Sequence, residues 1–315
     1  MDTRKIADLD ATIVGIGCNN FGRRLDRAGT DAVVHTAIDA GINFFDTADI
    51  YGDGASEEYL GKALGARRDE VIIATKFGVE MGSDPSRGGA SPRWIESAVE
   101  YSLRRLGTDR IDLYQLHKPD ENTPIEDTLE ALDELISAGK VRQIGCSNYS
   151  KAQIEDALAT SHEHGLARFV SVQNEYSLLH REPEENGVTE VCLRNGLALL
   201  PYFPLASGML TGKYSRGEEA PAGSRLAGIS ASRAGRFANA RNFDRVERLE
   251  AFAKERGHTI LELAISWLVA QPVVASVIAG ATRPEQVWAN AEAAKWELLP
   301  EDLAEVDRIT RDLAA

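Results

Sequence analysis

Short runs of apolar and β-branched residues recur along the chain, each followed by a longer stretch in which apolar positions fall three and four apart among polar ones. The first pattern suits strands and the second suits amphipathic helices. Eight strands are predicted: TIVGIG at 12–17, INFFD at 42–46, EVIIATK at 70–76, IDLYQLH at 111–117, VRQIGCS at 141–147, FVSVQN at 169–174, LALLPYF at 197–203 and VVASVIAG at 273–280. Several are apolar throughout rather than alternating, so both faces are expected to be covered, as in a parallel sheet. Helix boundaries are marked between them. Ser91 precedes Pro92, Thr123 and Pro124 precede Glu126 in a capping-box spacing, Ser150 and Gln153 repeat that spacing, and Gly139 follows EALDELISA where a left-handed residue is expected. The alternation most simply closes into a (β/α)8 TIM barrel, with an open doubly wound sheet as the competing α/β arrangement. No repeat, low-complexity tract or linker divides the chain. Residues 1–315 therefore read as one barrel domain with a short hairpin at about 1–14, a long loop after the seventh strand at about 204–241, and extra helices near the C-terminus.

Composition narrows the function classes. At 43% hydrophobic and 27% charged, the 315 residues fall in the globular class. The formal charge of −14 opposes binding to nucleic acid or to anionic membrane surfaces, and no apolar run reaches the ~18 residues of a membrane span. Cys18, Cys146 and Cys192 are odd in number and widely spaced, which suits a reducing, cytoplasmic setting and offers neither a disulfide framework nor a metal site.

In a barrel the residues that finish strands gather at one mouth. Asp46, Lys76 and His117 end the second, third and fourth strands, and Tyr51 follows Asp46 closely enough to fold over the same rim. A phenol beside an ammonium is expected to titrate below its usual ~10, which would make Tyr51 an acid near neutral pH. Asp49 and Asp53 show no such convergence and read as loop polar groups. After the eighth strand, Thr282 and Arg283 stand just ahead of Pro284 at a helix start, an arrangement suited to an anion. The segment 204–241 carries Lys213, Arg216, Arg225, Arg233, Arg236 and Arg241 against Glu218 and Glu219, a local excess of cations in an acidic protein. That suggests a strap over a pyrophosphate whose later arginines order when a cofactor binds.

GINFFDTADIYG, IIATKFG, DLYQLHKPD, IGCSNYS, VQNEYS, PLASGMLTGKY and VIAGATRPEQVWAN stand in the order and spacing found in aldo-keto reductases, and the chain resembles that family over nearly its whole length. The resemblance implies carbonyl reduction by a nicotinamide dinucleotide, usually NADPH, with the catalytic acid, phenol, ammonium and imidazole on Asp46, Tyr51, Lys76 and His117. It implies cofactor contacts at Asp46, Ser147, Asn148 and Gln173, with Tyr202 against the nicotinamide. In the long loop it adds Pro204, Leu205, Gly208, Leu210 and Lys213, and after the last strand Gly280, Thr282, Arg283, Gln286 and Asn290. Arg283 beside a 2′-phosphate favours NADPH over NADH. The substrate, a small carbonyl compound, is expected among Asn19, Asn20, Phe21, Tyr51, Phe77, His117 and Lys118. Lys118 departs from the aromatic that many relatives carry there, which implies a more polar rim suited to hydroxylated or anionic carbonyls. Two other readings stand beside this one: a Schiff-base aldolase using Lys76, and a dinucleotide-binding regulatory subunit like the potassium-channel β-subunits, for which the N-terminal stretch is short. Oligomeric state is not legible.

Overall fold

The computed structural model describes residues 1–82 and 87–311. Eight parallel strands form one sheet: β1 (Val14–Gly17), β2 (Phe44–Asp46), β3 (Ile72–Phe77), β4 (Ile111–Leu116), β5 (Val141–Ser147), β6 (Ser171–Gln173), β7 (Ala198–Leu199) and β8 (Val277–Gly280). They pair in sequence order from β1 to β7, with β8 on the outer side of β1. The sheet closes where the Leu199 N–H donates to the Val273 carbonyl at 2.8 Å and the Ala275 N–H donates to the Leu199 carbonyl at 3.1 Å. The (β/α)8 barrel is therefore the observed fold. The helices that cover it start as their sequences direct. Ser91 accepts from the Trp94 N–H ahead of Pro92, and Ser150 with Gln153 forms a reciprocal capping box. The box expected at Thr123 does not form, because its hydroxyl donates instead to Asp120 and Pro124 begins the helix without a side-chain cap.

Side chains on a strand alternate between the barrel interior and the helix layer. Phe44, Ile72, Ala74, Leu113, Ala198, Leu200, Ala275 and Ile278 fill the interior together with Ile6, Leu9 and Ala11 of an N-terminal hairpin, Thr3–Ile6 paired with Leu9–Thr12. The hairpin thus seals the amino-terminal end, and the Arg4 guanidinium fastens it by donating to the carbonyls of Val269, Gln271 and Val274. Two residues further along each strand, polar side chains replace apolar ones: Asp46 above Phe44, Lys76 above Ala74 and Gln115 above Leu113. Gly145 keeps this layer open, since a Cβ there would stand 2.3 Å from Ser171 Oγ.

The segment 204–241 is more structured than its composition suggests. It holds 3-10 turns at Ala206–Thr211 and Leu226–Gly228 and a helix at Ala231–Phe237 capped by Ser230. Of the six non-glycine residues with positive φ among the described residues, Ala7 sits in the hairpin turn and the other five, Asp53, Asn148, Phe203, Ala206 and Ser207, lie in loops at the carboxyl ends of the strands. Backbone strain of this kind concentrates at working sites.

Candidate active site

The interior polar layer is built around Asp46. Its Oδ2 accepts from Lys76 Nζ at 2.6 Å, and its Oδ1 accepts from Gln115 Nε2 at 3.2 Å and Gln173 Nε2 at 2.9 Å. Lys76 Nζ also donates to the Thr47 carbonyl at 2.9 Å and is fully buried. From that position the ammonium lies 5.3 Å from the centre of the Tyr51 ring, and the His117 ring meets Tyr51 edge-on at 5.9 Å between centroids. The four residues selected by strand position are therefore brought together at one mouth.

Their electrostatics differ from expectation at Tyr51. Burial raises the phenol above its ordinary value, and although Lys76 pulls downward, Asp46 pushes up again, so the proton is held rather than loosened. Burial also opposes the charge on Lys76, but the Asp46 carboxylate with Tyr51 outweighs it and the ammonium titrates above its usual range. His117 moves the other way. Burial, then the cations of Lys76 and Lys118, bring it down to about 3, so it is a neutral imidazole at any physiological pH.

The rim after β5 forms a connected set. Ser147 Oγ donates to the Gln173 carbonyl at 2.7 Å, Asn148 Nδ2 donates to the His117 carbonyl at 2.9 Å, and the Tyr202 hydroxyl donates to Asn148 Oδ1 at 2.8 Å. Ser147, Asn148 and Gln173 thus have protein partners that a ligand must share or displace. After β8, Gln286 Oε1 accepts from the Thr282 N–H at 2.7 Å, closing the turn ahead of helix Pro284–Glu292. Arg283 is exposed at that helix start with no ion pair among the described residues, and the buried Asn290 leaves its Nδ2 without a partner. A free guanidinium, a helix N-terminus and an orphaned amide fit a phosphorylated nucleoside. At Gly280 a Cβ would stand 3.4 Å from Asn20 Nδ2.

The long loop divides. Pro204 and Leu210 are buried, Leu205 and Gly208 are half-buried, and Lys213 is exposed with its Nζ 5.1 Å from the Tyr214 ring. Arg216 pairs with Asp244 and, at 2.9 Å, with Glu247, and Arg236 pairs with Glu175. These two do not wait for a cofactor, contrary to the expectation for the later arginines, because acids of the protein already hold them. Arg225 and Arg233 make no ion pair among the described residues. Arg225 lies 5.0 Å over the Phe203 ring with Arg24, Arg23 and Arg233 as its charged neighbours and Tyr51 nearby.

The expected substrate pocket shrinks. Phe21 and Phe77 are fully buried in the helix-facing core, Phe77 stacked on Tyr114 at 4.6 Å, because Phe77 directly follows the inward Lys76 and so points outward. Asn20 is buried too, and its side chain donates to the Ala281 carbonyl at 3.3 Å while its own carbonyl anchors the turn through 25. Asn19, Tyr51, His117 and Lys118 remain at the rim. Sequence reading missed two residues. Gln115 lies inside a strand on the same face as His117, and that period of two is the signal that finds it. Asp49, taken as a loop group, is buried. Among the described residues no cluster could hold a metal ion, and no helix is long and apolar enough to cross a membrane.

Comparison with known proteins finds relatives over most of the chain. The model of the Aldo/keto reductase family matches residues 13–311. The chain is 32% identical over 306 residues to L-glyceraldehyde 3-phosphate reductase of Escherichia coli O157:H7, covering 93% of this chain and 87% of that protein. It is 36% identical over 320 residues to aldo-keto reductase YhdN of Bacillus subtilis, covering 98% and 93%. It is 36% identical over 277 residues to a probable voltage-gated potassium channel subunit beta of Oryza sativa subsp. japonica, covering 87% and 84%.

Proposed function

Because the chain belongs to the aldo/keto reductase family, we propose that it reduces an aldehyde or ketone to an alcohol with NADPH, Tyr51 giving the proton to the carbonyl oxygen. The observation that carries this reading is the placement of one phenol between a buried ammonium and a neutral imidazole. The bound nicotinamide supplies the hydride. As negative charge grows on the substrate oxygen, a neutral His117 donates a hydrogen bond to it and fixes its direction. Tyr51, protonated at neutral pH, releases its proton to that oxygen, and Lys76 stabilises the phenolate left behind. Asp46 keeps Lys76 charged and in place. Lys76 so held is a poor Schiff-base nucleophile, which requires the free amine.

Arg283, the helix start behind it and Asn290 support NADPH over NADH, and Arg225 with Arg233 supports a strap over the pyrophosphate. Likeness to a potassium channel β-subunit favours a second reading, a dinucleotide-binding partner protein. Measured NADPH oxidation over a panel of aldehydes, ketones, sugars and quinones separates the two, since a sensor gives none. Within the first reading, Tyr51→Phe is expected to lower kcat by about 10²–10⁴-fold while Kd for NADPH changes little. An unaltered kcat rejects the proton-donor role. Arg283→Ala should weaken NADPH by ~1.5–3 kcal/mol, the range for a hydrogen bond to a charged group, and NADH far less; equal losses remove the 2′-phosphate argument.

A further inference from the structure

Behind the mouth, on the helix-facing side of β2 to β4, lies a second group of ionisable residues that the reaction above leaves idle. Asp49 is buried, and no side chain donates to either carboxyl oxygen; the one donor turned toward it is the N–H of the adjacent Ile50. The Tyr114 hydroxyl on β4 is equally buried and unpartnered. Between them, Glu57 is fully satisfied: its Oε1 accepts from Thr75 Oγ1 at 2.6 Å and its Oε2 from Arg105 Nε at 2.6 Å. The charged and titratable groups facing Asp49 are Glu57 on helix Ala55–Leu64, Arg105 on helix Pro92–Leu106, Lys76 on β3 and Tyr114 on β4. Two of these cations are already engaged, Arg105 by Glu57 and Lys76 by Asp46. Asp49 is also tied to the working residues through the backbone. Its N–H donates to the Lys76 carbonyl at 3.1 Å, and Tyr51 stands two residues on.

A buried carboxylate with no cation of its own and only the adjacent Ile50 N–H turned toward it is costly, whereas a carboxylic acid can donate as well as accept. Resting on the reductase reading, we propose that Asp49 is a positioning residue that works uncharged beside the Tyr114 hydroxyl, so that Asp46 remains the one carboxylate acting on Lys76 and Tyr51. Burial, then the Glu57 carboxylate, hold the acid form of Asp49 up to about 8, against the pull of Arg105 and Lys76. Above that pH its proton leaves to solvent, and a second negative charge arrives next to Lys76. The phenol then holds its proton more tightly and proton donation slows.

The test measures kcat at saturating NADPH and carbonyl substrate from pH 6 to 10 in the wild type, Asp49→Asn and Tyr114→Phe, beside infrared titration of the cofactor-free proteins. The wild type should lose turnover with a midpoint near 8. Asp49→Asn should move that midpoint by at least about one pH unit, a tenfold change in proton affinity. A protonated-carboxyl band should fade between pH 7 and 9 in the wild type, be missing in Asp49→Asn, and shift in frequency in Tyr114→Phe, which decides the case should the first variant not fold. Superimposable pH profiles, or no such band at pH 6, overturn the proposal. A wild type that reduces no carbonyl fails the reductase reading instead, and the infrared titration still reports the charge of Asp49.

Discussion

At the scale of single residues, the site is decided by which buried groups have partners. Asp46, Lys76 and Glu57 are as buried as Asp49, but each is matched by an opposite charge. Asp49 has none, so folding raises its affinity for a proton from an ordinary 3.8 to about 8. The folded chain then binds more protons than the unfolded one between those values, and stability falls as pH rises from about 4 to 8. Asp49→Asn removes that dependence. Chemical denaturation should show the variant gaining on the wild type from pH 4 to 8 and gaining no further above it. His117 acts at the other end of the scale: its depressed value keeps its contribution intact above about 6.5, and that contribution is lost as pH falls toward 3. Asp46, Lys76 and His117 were legible in the sequence because each finishes an apolar run, and position alone carries them to the mouth. Asp49 was not, because its burial depends on helix Ala55–Leu64 folding back over the loop, a tertiary event that no local pattern records.

At the scale of elements, close approach sets the limits. Helix Ala55–Leu64 crosses helix Pro92–Leu106 at Gly61, where a Cβ would stand 2.1 Å from the Leu106 carbonyl oxygen and 2.5 Å from its carbon. Backbone cannot yield as a side-chain tip can. Gly61→Ala should therefore cost at least about 1–3 kcal/mol by thermal or denaturant unfolding, the range for overpacking, despite the better helix propensity of alanine. Since this helix carries Glu57 and the loop before it carries Tyr51, the same change should depress activity. Strand identity was read correctly from the apolar runs, but the exact facing of residues such as Phe77 required the alternation to be followed one residue past Lys76. The short elements inside the long loop were not legible, because its 3-10 turns and short helix carry no 3.6-residue periodicity long enough to detect.

For the whole molecule, the hairpin closes one end of the barrel and the loops after the strands frame the other. Arg24 reaches from the β1 loop to the Gly223 carbonyl and ties the segment 204–241 to that side of the mouth. Arg225 and Arg233, which make no ion pair among the described residues, are cations of the proposed strap over a pyrophosphate. Proteolysis within 213–230 should slow several-fold when the protein is saturated with NADPH; equal cleavage with and without NADPH counts against the strap. The family and the barrel were legible at this scale because eight strand–helix units in order leave few other closures.

Gln173 and Asp46 come from β6 and β2, on opposite walls of the barrel, and Lys76 and Gln115 reach the same carboxylate from β3 and β4. The carboxylate proposed to hold Lys76 for the reaction is also a hub whose spokes brace the cylinder across its bore. Chemistry and architecture cannot be altered separately at that point: a change made there to silence turnover also slackens the frame, whereas Tyr51, standing outside the brace, can be changed while the frame stays taut.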